Sequence, residues 1–279
     1  MSHGAGLPSA AAGWLRPEWP APAGVGAVMS TRTGGCSAAP YDSMNLGSHV
    51  GDGPADVARN RDRFAAVLGA RPVFLNQVHG TRVVRLQAAD AAASAATIDA
   101  DAAFTTEAGL ACTVMVADCL PVLFAAPGGR GVAAAHAGWR GLAGGVLEAT
   151  IAALCQAAAC RPGELVAWLG ACIGPRHFEV GDDVRTAFLG EAVAPLGCEV
   201  PQAAGEGGAA SRFTAGGRPG KWLADLAGLA RDRLAVAGVQ QVSGGHWCTV
   251  EEGSRFFSFR RDRVTGRMAA AVWIGGSPG

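Results

Sequence analysis

Short apolar runs closed by turn residues dominate the chain, and they predict strands more often than helices. Gly26 to Arg32 reads as a strand ending at Gly34-Gly35, and Pro72 to Val78 as another that runs into His79-Gly80. A further strand is expected at Arg82 to Leu86. Ala111 to Val116 and Val122 to Ala125 read as buried strands split by Asp118-Cys119-Leu120-Pro121. Gly131 to Ala135 is an apolar strand ending at His136, and Leu165 to Leu169 opens into the loop Gly170 to Pro175.

Helical spacing appears in three places. Asp56 to Leu68 carries Val57, Phe64, Val67 and Leu68 behind the turn Asp52-Gly53-Pro54. Gly141 to Ala159 predicts one long Ala/Leu helix, and Lys221 to Ala237 an amphipathic one with Trp222, Leu223, Leu226, Leu229 and Leu234 on one face. Phe256 to Ile274 reads as a hairpin around Val264-Thr265-Gly266, while residues 88–98 and 203–220 read as connections. Residues 1–24, rich in Pro, Ala and Gly, read as a loose lead-in, leaving one domain over 25–279. Strands and helices alternate without a clean βαβ rhythm. The expectation is therefore a single α/β domain of mixed α+β type, with mixed sheet and helices outside it.

Charge narrows the partners. Lys plus Arg and Asp plus Glu are 23 each, so bulk capture of nucleic acid or of an anionic membrane is not expected. A small anion needs only one or two local arginines and stays admissible. The first residues, Met1 to Gly13, lack a basic segment followed by an apolar one, and no apolar run reaches about 18 residues. The expectation is a cytoplasmic protein without a membrane span. Eight cysteines in 279 residues are too sparse for a disulfide scaffold, and most read as reduced core thiols.

Three polar residues stand out against this apolar background. His79, Cys119 and His136 each follow a predicted buried strand and adjoin a turn. Singly, each reads as a hydrogen-bonded histidine or a core thiol. Together, one Cys and two His form a good zinc set with a fourth position open, as in catalytic sites. A nucleophilic pair is the other reading, with Cys119 as thiolate and His79 or His136 as base.

Candidate anion contacts are Arg140, between glycines just before the long helix, Arg32 before Gly34-Gly35, and Arg260-Arg261. Ser43, Asn45 and His49 lie in a polar loop able to bond a base or ribose. The loop Gly170 to Pro175 lacks the Lys-Ser/Thr ending of a P-loop.

These segments in order resemble the YfiH-like family, variously labelled laccase-domain multicopper polyphenol oxidases, purine nucleoside phosphorylases and peptidoglycan editing factors. The resemblance is carried by Asn45-Leu46-Gly47 with Val50-Gly51-Asp52, Gln77-Val78-His79-Gly80, and Ala117-Asp118-Cys119-Leu120-Pro121-Val122. It continues through His136-Ala137-Gly138-Trp139-Arg140-Gly141, Ile173-Gly174-Pro175, Phe178-Glu179-Val180-Gly181 and Phe256 to Asp262.

The resemblance implies one zinc ion on His79, Cys119 and His136, in a single domain with mixed sheets layered between helices, monomeric or weakly oligomeric. It implies phosphorolysis of adenosine, inosine, guanosine and S-methyl-5'-thioadenosine, plus deamination of adenosine. On that reading Asp118 and Arg140 are the catalytic candidates, with Asp118 either the acid/base or the group orienting a histidine. Arg32, Asn45, Arg140 and Arg261 are the candidate contacts to nucleoside or phosphate. A peptidoglycan-precursor editing hydrolase, a copper-dependent polyphenol oxidase and a non-enzymatic metal-binding protein stand as alternatives. Copper fits less well, since six scattered histidines poorly supply blue-copper or multicopper sites.

Overall fold

An unbroken apolar strand needs cover on both faces, and β5 (Leu110–Val116) is buried along its whole length. The computed structural model describes residues 11, 13–92, 97–190 and 208–275. In it β5 lies in a four-stranded sheet with β1 (Val25–Met29), β2 (Arg71–Phe74) and β13 (Met268–Ile274), in the order β1-β13-β5-β2. Only the β2–β5 pair is parallel in that sheet.

A six-stranded sheet covers one face of this first sheet. It comprises β3 (Val83–Arg85), β4 (Ala102–Thr105), β6 (Leu120–Ala125), β7 (Val132–Ala137), β8 (Val166–Leu169) and β12 (Gln241–Gly244). Its order is β12-β8-β6-β7-β4-β3. Between the sheets Cys112, Val114 and Val116 of β5 meet Leu123, Val132, Ala134 and Trp168. The far face of the four-stranded sheet packs Ala111, Met115 and Ala271 on helix α1 (Pro54–Leu68) through Phe64 and Leu68.

The far face of the six-stranded sheet is covered by α2 (Trp139–Gly144), α3 (Val146–Ala158) and α5 (Leu226–Val236). A small sheet of β9 (Glu179–Gly181), β10 (Phe213–Ala215) and β11 (Lys221–Ala224) stands beside α4 (Asp182–Leu189). A single turn, α6 (Phe259–Asp262), precedes β13. The expected α/β fold with mixed sheets layered between helices is the observed one. Among the described residues no helix is long and apolar enough to cross a membrane.

Several elements differ from the sequence expectation. The helix expected over Gly141 to Ala159 is two, parted at Gly145, whose φ of 101° breaks the hydrogen-bond ladder. The helix expected over Lys221 to Ala237 gives its first turn to β11, because Trp222 and Leu223 pair with β9 and β10. Asp225 then caps α5 by accepting from Gly228 N at 2.9 Å. No hairpin forms over Phe256 to Ile274: Ser258 caps α6, and β13 pairs with β1 and β5 instead.

Of the connection expected over 203–220, residues 203–207 lie outside the described residues, and the rest holds a 3₁₀ turn, Ala209–Arg212, and β10. Within the expected lead-in, Trp14 is buried against Phe64 at 5.5 Å between ring centres, and Leu15 bridges to Met29. Residues 1–10 and 12 lie outside the described residues.

Candidate metal centre

Side chains alternate along a strand, and in β7 Val132 and Ala134 face the opposing sheet while Ala133, Ala135 and Ala137 face the helices. His136 has the parity of Ala134 and thus points toward the other sheet, at the end where β5 stops. Cys119 sits in the short link Ala117-Asp118-Cys119 that carries the chain from β5 in one sheet to β6 in the other. His79 is supplied by the loop after β2, in left-handed backbone conformation with φ 61°. It lies several residues beyond the strand end at which the sequence placed it.

These three residues come together. Their ligand atoms lie within 4.8 Å of one another, with Cys119 Sγ 3.8 Å from His79 Nε2. The backbone passes close by: a Cβ on Gly138 would lie 2.9 Å from His79 Cδ2 and 3.0 Å from Cys119 Sγ. A side chain at this position would have to displace His79 and crowd Cys119.

One acidic residue organises two of the three donors. Asp101, fully buried just before β4, accepts His136 Nδ1 at 2.8 Å on Oδ1. It also accepts the backbone N–H groups of Val78, His79 and Gly80 at 3.1, 2.9 and 2.7 Å. His136 is therefore left with Nε2 to present to the centre, and the His79 loop is tied to the same carboxylate. Burial would raise the Asp101 carboxyl, but the bonds from His136 and Gly80 outweigh it and hold it below the usual range. Sequence reasoning missed Asp101; the only signal was an acid directly before the apolar run Ala102-Ala103-Phe104.

Burial alone would raise the Cys119 thiol, yet the imidazoles of His136 and His79 bring it down to about 6. Burial would lower His136, and Cys119 with Asp101 push it up to about 9. A thiolate and two imidazoles at this separation are a donor set that fits a divalent ion with three protein ligands. A second group, His177, Cys248 and Glu251, also has ligand atoms within 4.8 Å. There Glu251 is held by both Arg176 and His177, at 2.6 and 3.0 Å.

Asp118, expected as an acid/base or as the group orienting a histidine, lines the cavity beside Cys119. Its φ is 95°, and its oxygens accept Thr249 Oγ1 and Arg260 N at 2.6 Å each. It braces the inter-sheet link against the segment before β13, while Asp101 is the acid that orients a histidine.

The three donors open onto a cavity of about 420 Å³, whose walls include Trp139, Phe178, Phe259 and His49. The arginines lining it are Arg260 and Arg267, whereas Arg32, Asn45, Arg140 and Arg261 lie outside its lining. Arg32 pairs with Asp42 at 3.3 Å and donates to Gly253 O. Arg261 pairs with Asp262 and donates to Thr249 O and Phe256 O. Arg140 is exposed, stacked 4.4 Å from the Trp139 ring centre, on a helix of six residues. Asn45 is buried, with Oδ1 accepting the backbone of Gly47 and Arg267. Arg267 was also missed, having no more signal than a basic residue between a glycine and a strand.

Residues 26–275 match the family model described as multi-copper polyphenol oxidoreductase laccase. A purine nucleoside phosphorylase of Pseudomonas aeruginosa is 48% identical over 262 residues, 94% of this chain and 98% of that one. The purine nucleoside phosphorylase YfiH of Escherichia coli is 48% identical over 260 residues, 92% of this chain and 97% of that one. The crystal structure of protein NMB0706 of Neisseria meningitidis is similar with a TM-score of 0.82 at 48% identity, covering 95% of this chain and 100% of that one.

Proposed function

Since the chain belongs to the multi-copper polyphenol oxidoreductase laccase family, in its YfiH-like branch, we propose that it is a zinc-dependent purine nucleoside phosphorylase. Its nucleosides on this reading are adenosine, inosine, guanosine and S-methyl-5'-thioadenosine, with deamination of adenosine as a second activity. It acts in the cytoplasm as a monomer or weak oligomer.

One observation carries the reading: a three-donor centre facing a cavity of about 420 Å³ that also presents guanidinium groups. That volume falls within the range of small-molecule sites. The relatives named purine nucleoside phosphorylase support the choice of substrate class.

His79, Cys119 and His136 would hold the ion. Zinc bound there supplies Lewis acidity and lowers the pKa of water. The chain's own residues do the positioning: Asp101 fixes the His136 ring and the His79 loop, and Asp118 fixes the link bearing Cys119. Trp139 and Phe178 offer aromatic faces to a purine. Zinc is preferred to copper because Met115, the thioether lining the cavity, is 3.9 Å from Arg61 Nη2 on the α1 side of β5. Blue-copper sites most often take such a sulfur as their weak axial ligand, a Gln or backbone oxygen replacing it in others.

The test is incubation of metal-replete protein with inosine and phosphate, following hypoxanthine and ribose 1-phosphate by chromatography. Phosphate-dependent release of base that disappears on chelation is the expected result. No base release, with cleavage of a nucleotide-linked muramoyl-serine instead, would overturn the reading in favour of an editing hydrolase.

A further inference from the structure

A cation withdrawn from bulk water normally has a carboxylate partner, and Arg267 is half-buried. It lines the cavity and has no such partner among the described residues. Its Nη1 donates to Thr265 O and Gly266 O at 3.1 Å each, which uses one edge of the guanidinium. Nε and Nη2 make no hydrogen bond to a described residue. That leaves a two-donor fork of the kind that suits a tetrahedral oxyanion.

The rest of the residue is clamped. Its backbone N–H donates to Asn45 Oδ1 at 2.8 Å. Its stem is so close to Gly47 that a Cβ there would lie 2.8 Å from Arg267 Cγ. The same loop continues to His49, whose ring lines the cavity. Arg260 adds a second guanidinium, with Nη1 held by Glu179 O at 2.8 Å and no carboxylate on its side chain among the described residues. Burial pulls Arg267 below its ordinary value while Cys119 and Asp118 act in the opposite sense. The cavity thus contains a partly desolvated guanidinium whose remaining donors have no acceptor among the described residues.

We propose that Arg267 seats the phosphate co-substrate in the cavity that His49 and Arg260 also line and onto which the three donors open. The assignment rests on the phosphorylase reading. In the step it serves, a phosphate oxygen bonds to C1' of the ribose as the C1'–N9 bond breaks. The bonding pair leaves with the purine, which takes up the proton that hydrogen phosphate gives up. Free base and ribose 1-phosphate result, with no further reactant.

Phosphate saturation curves at saturating inosine test this on metal-loaded full-length protein. In Arg267→Gln the phosphate KM should rise about tenfold or more, with inosine KM within about twofold of wild type and metal content unchanged. Arg267→Lys keeps the charge but not the fork and should fall between. Arg130→Gln, altering an exposed arginine outside the cavity, should leave the phosphate KM alone. An unchanged phosphate KM in Arg267→Gln, with normal metal content, overturns the assignment. Should that variant fail to fold, Arg267→Lys and His49→Asn read the same constant, and wild-type values in both overturn it. Wild-type protein that releases no base with phosphate would instead mark failure of the phosphorylase reading itself.

Discussion

Asp101 Oδ1 lies 2.8 Å from His136 Nδ1, and the same carboxylate receives three consecutive backbone N–H groups from the His79 loop. One side chain therefore sets both the ring of one donor and the backbone of another. Asp101→Asn replaces an acceptor oxygen with an N–H₂ group that faces donors. Metal affinity should fall about 10–100-fold, measured by competition with a chromophoric chelator. Amide exchange at residues 78–80 should quicken in the same variant. Wild-type affinity would mean that the carboxylate is dispensable for holding the donors.

Asp118 separates a brace from a catalyst. Asparagine tolerates left-handed backbone and keeps an acceptor oxygen, so Asp118→Asn should retain turnover within a few-fold of wild type. Loss of a true acid/base would cost about 10²–10⁴-fold. Asp118→Ala loses both hydrogen bonds and strains the φ of 95°. Chemical denaturation should show it destabilised by about 2–4 kcal/mol. A collapse of kcat in Asp118→Asn without loss of stability would restore the catalytic role.

Gly138 tests the crowding of the centre. The added Cβ of Gly138→Ala must push against both His79 and Cys119. Metal retained after dialysis should drop, while far-UV circular dichroism stays that of wild type. Full metal retention and full turnover would show that the backbone yields at this point.

Protons should compete with the ion in a stated direction. In the metal-free protein Cys119 has been brought down to about 6 and His136 pushed up to about 9, so between these values the pair is thiolate and imidazolium. Binding then displaces the His136 proton. Affinity should rise with pH across that window by about one decade per pH unit, with about one proton released per ion. Below the window the slope should steepen as Cys119 must also lose its proton. Calorimetry in buffers of differing ionisation enthalpy counts the protons; uptake, or none, would contradict the scheme.

The sequence made part of this architecture legible for a simple reason. β5, β6 and β7 are covered on both faces, so their apolar runs need no partner to be recognised, and the polar residues at their ends stand out. That is how Cys119 and His136 could be found before any contact was known. Trp222 and Leu223 misled, because helical spacing and a strand on a small sheet use the same apolar residues; pairing with β9 and β10 decided between them. Asp101 and Arg267 were invisible for another reason. Each owes its role to segments far apart in the chain, Asp101 to residues 78–80 and 136, Arg267 to Asn45 and the cavity. Arg32, Asn45 and Arg261 carried the expected polarity, and in the fold each is engaged by hydrogen bonds within the chain, those of Arg32 and Asn45 reaching segments more than 200 residues away.

The link Ala117-Asp118-Cys119 crosses from the four-stranded sheet to the six-stranded one, His79 follows a strand of the first, and His136 belongs to the second. An ion held by all three is a rivet through both layers. Folding and metallation are then linked equilibria: free ion at about a thousand times its dissociation constant adds roughly 4 kcal/mol to the native state. With such an ion, scarcity of the metal would shorten the life of the protein under proteolysis, and the amount of chain a cell keeps would track the ion it can supply.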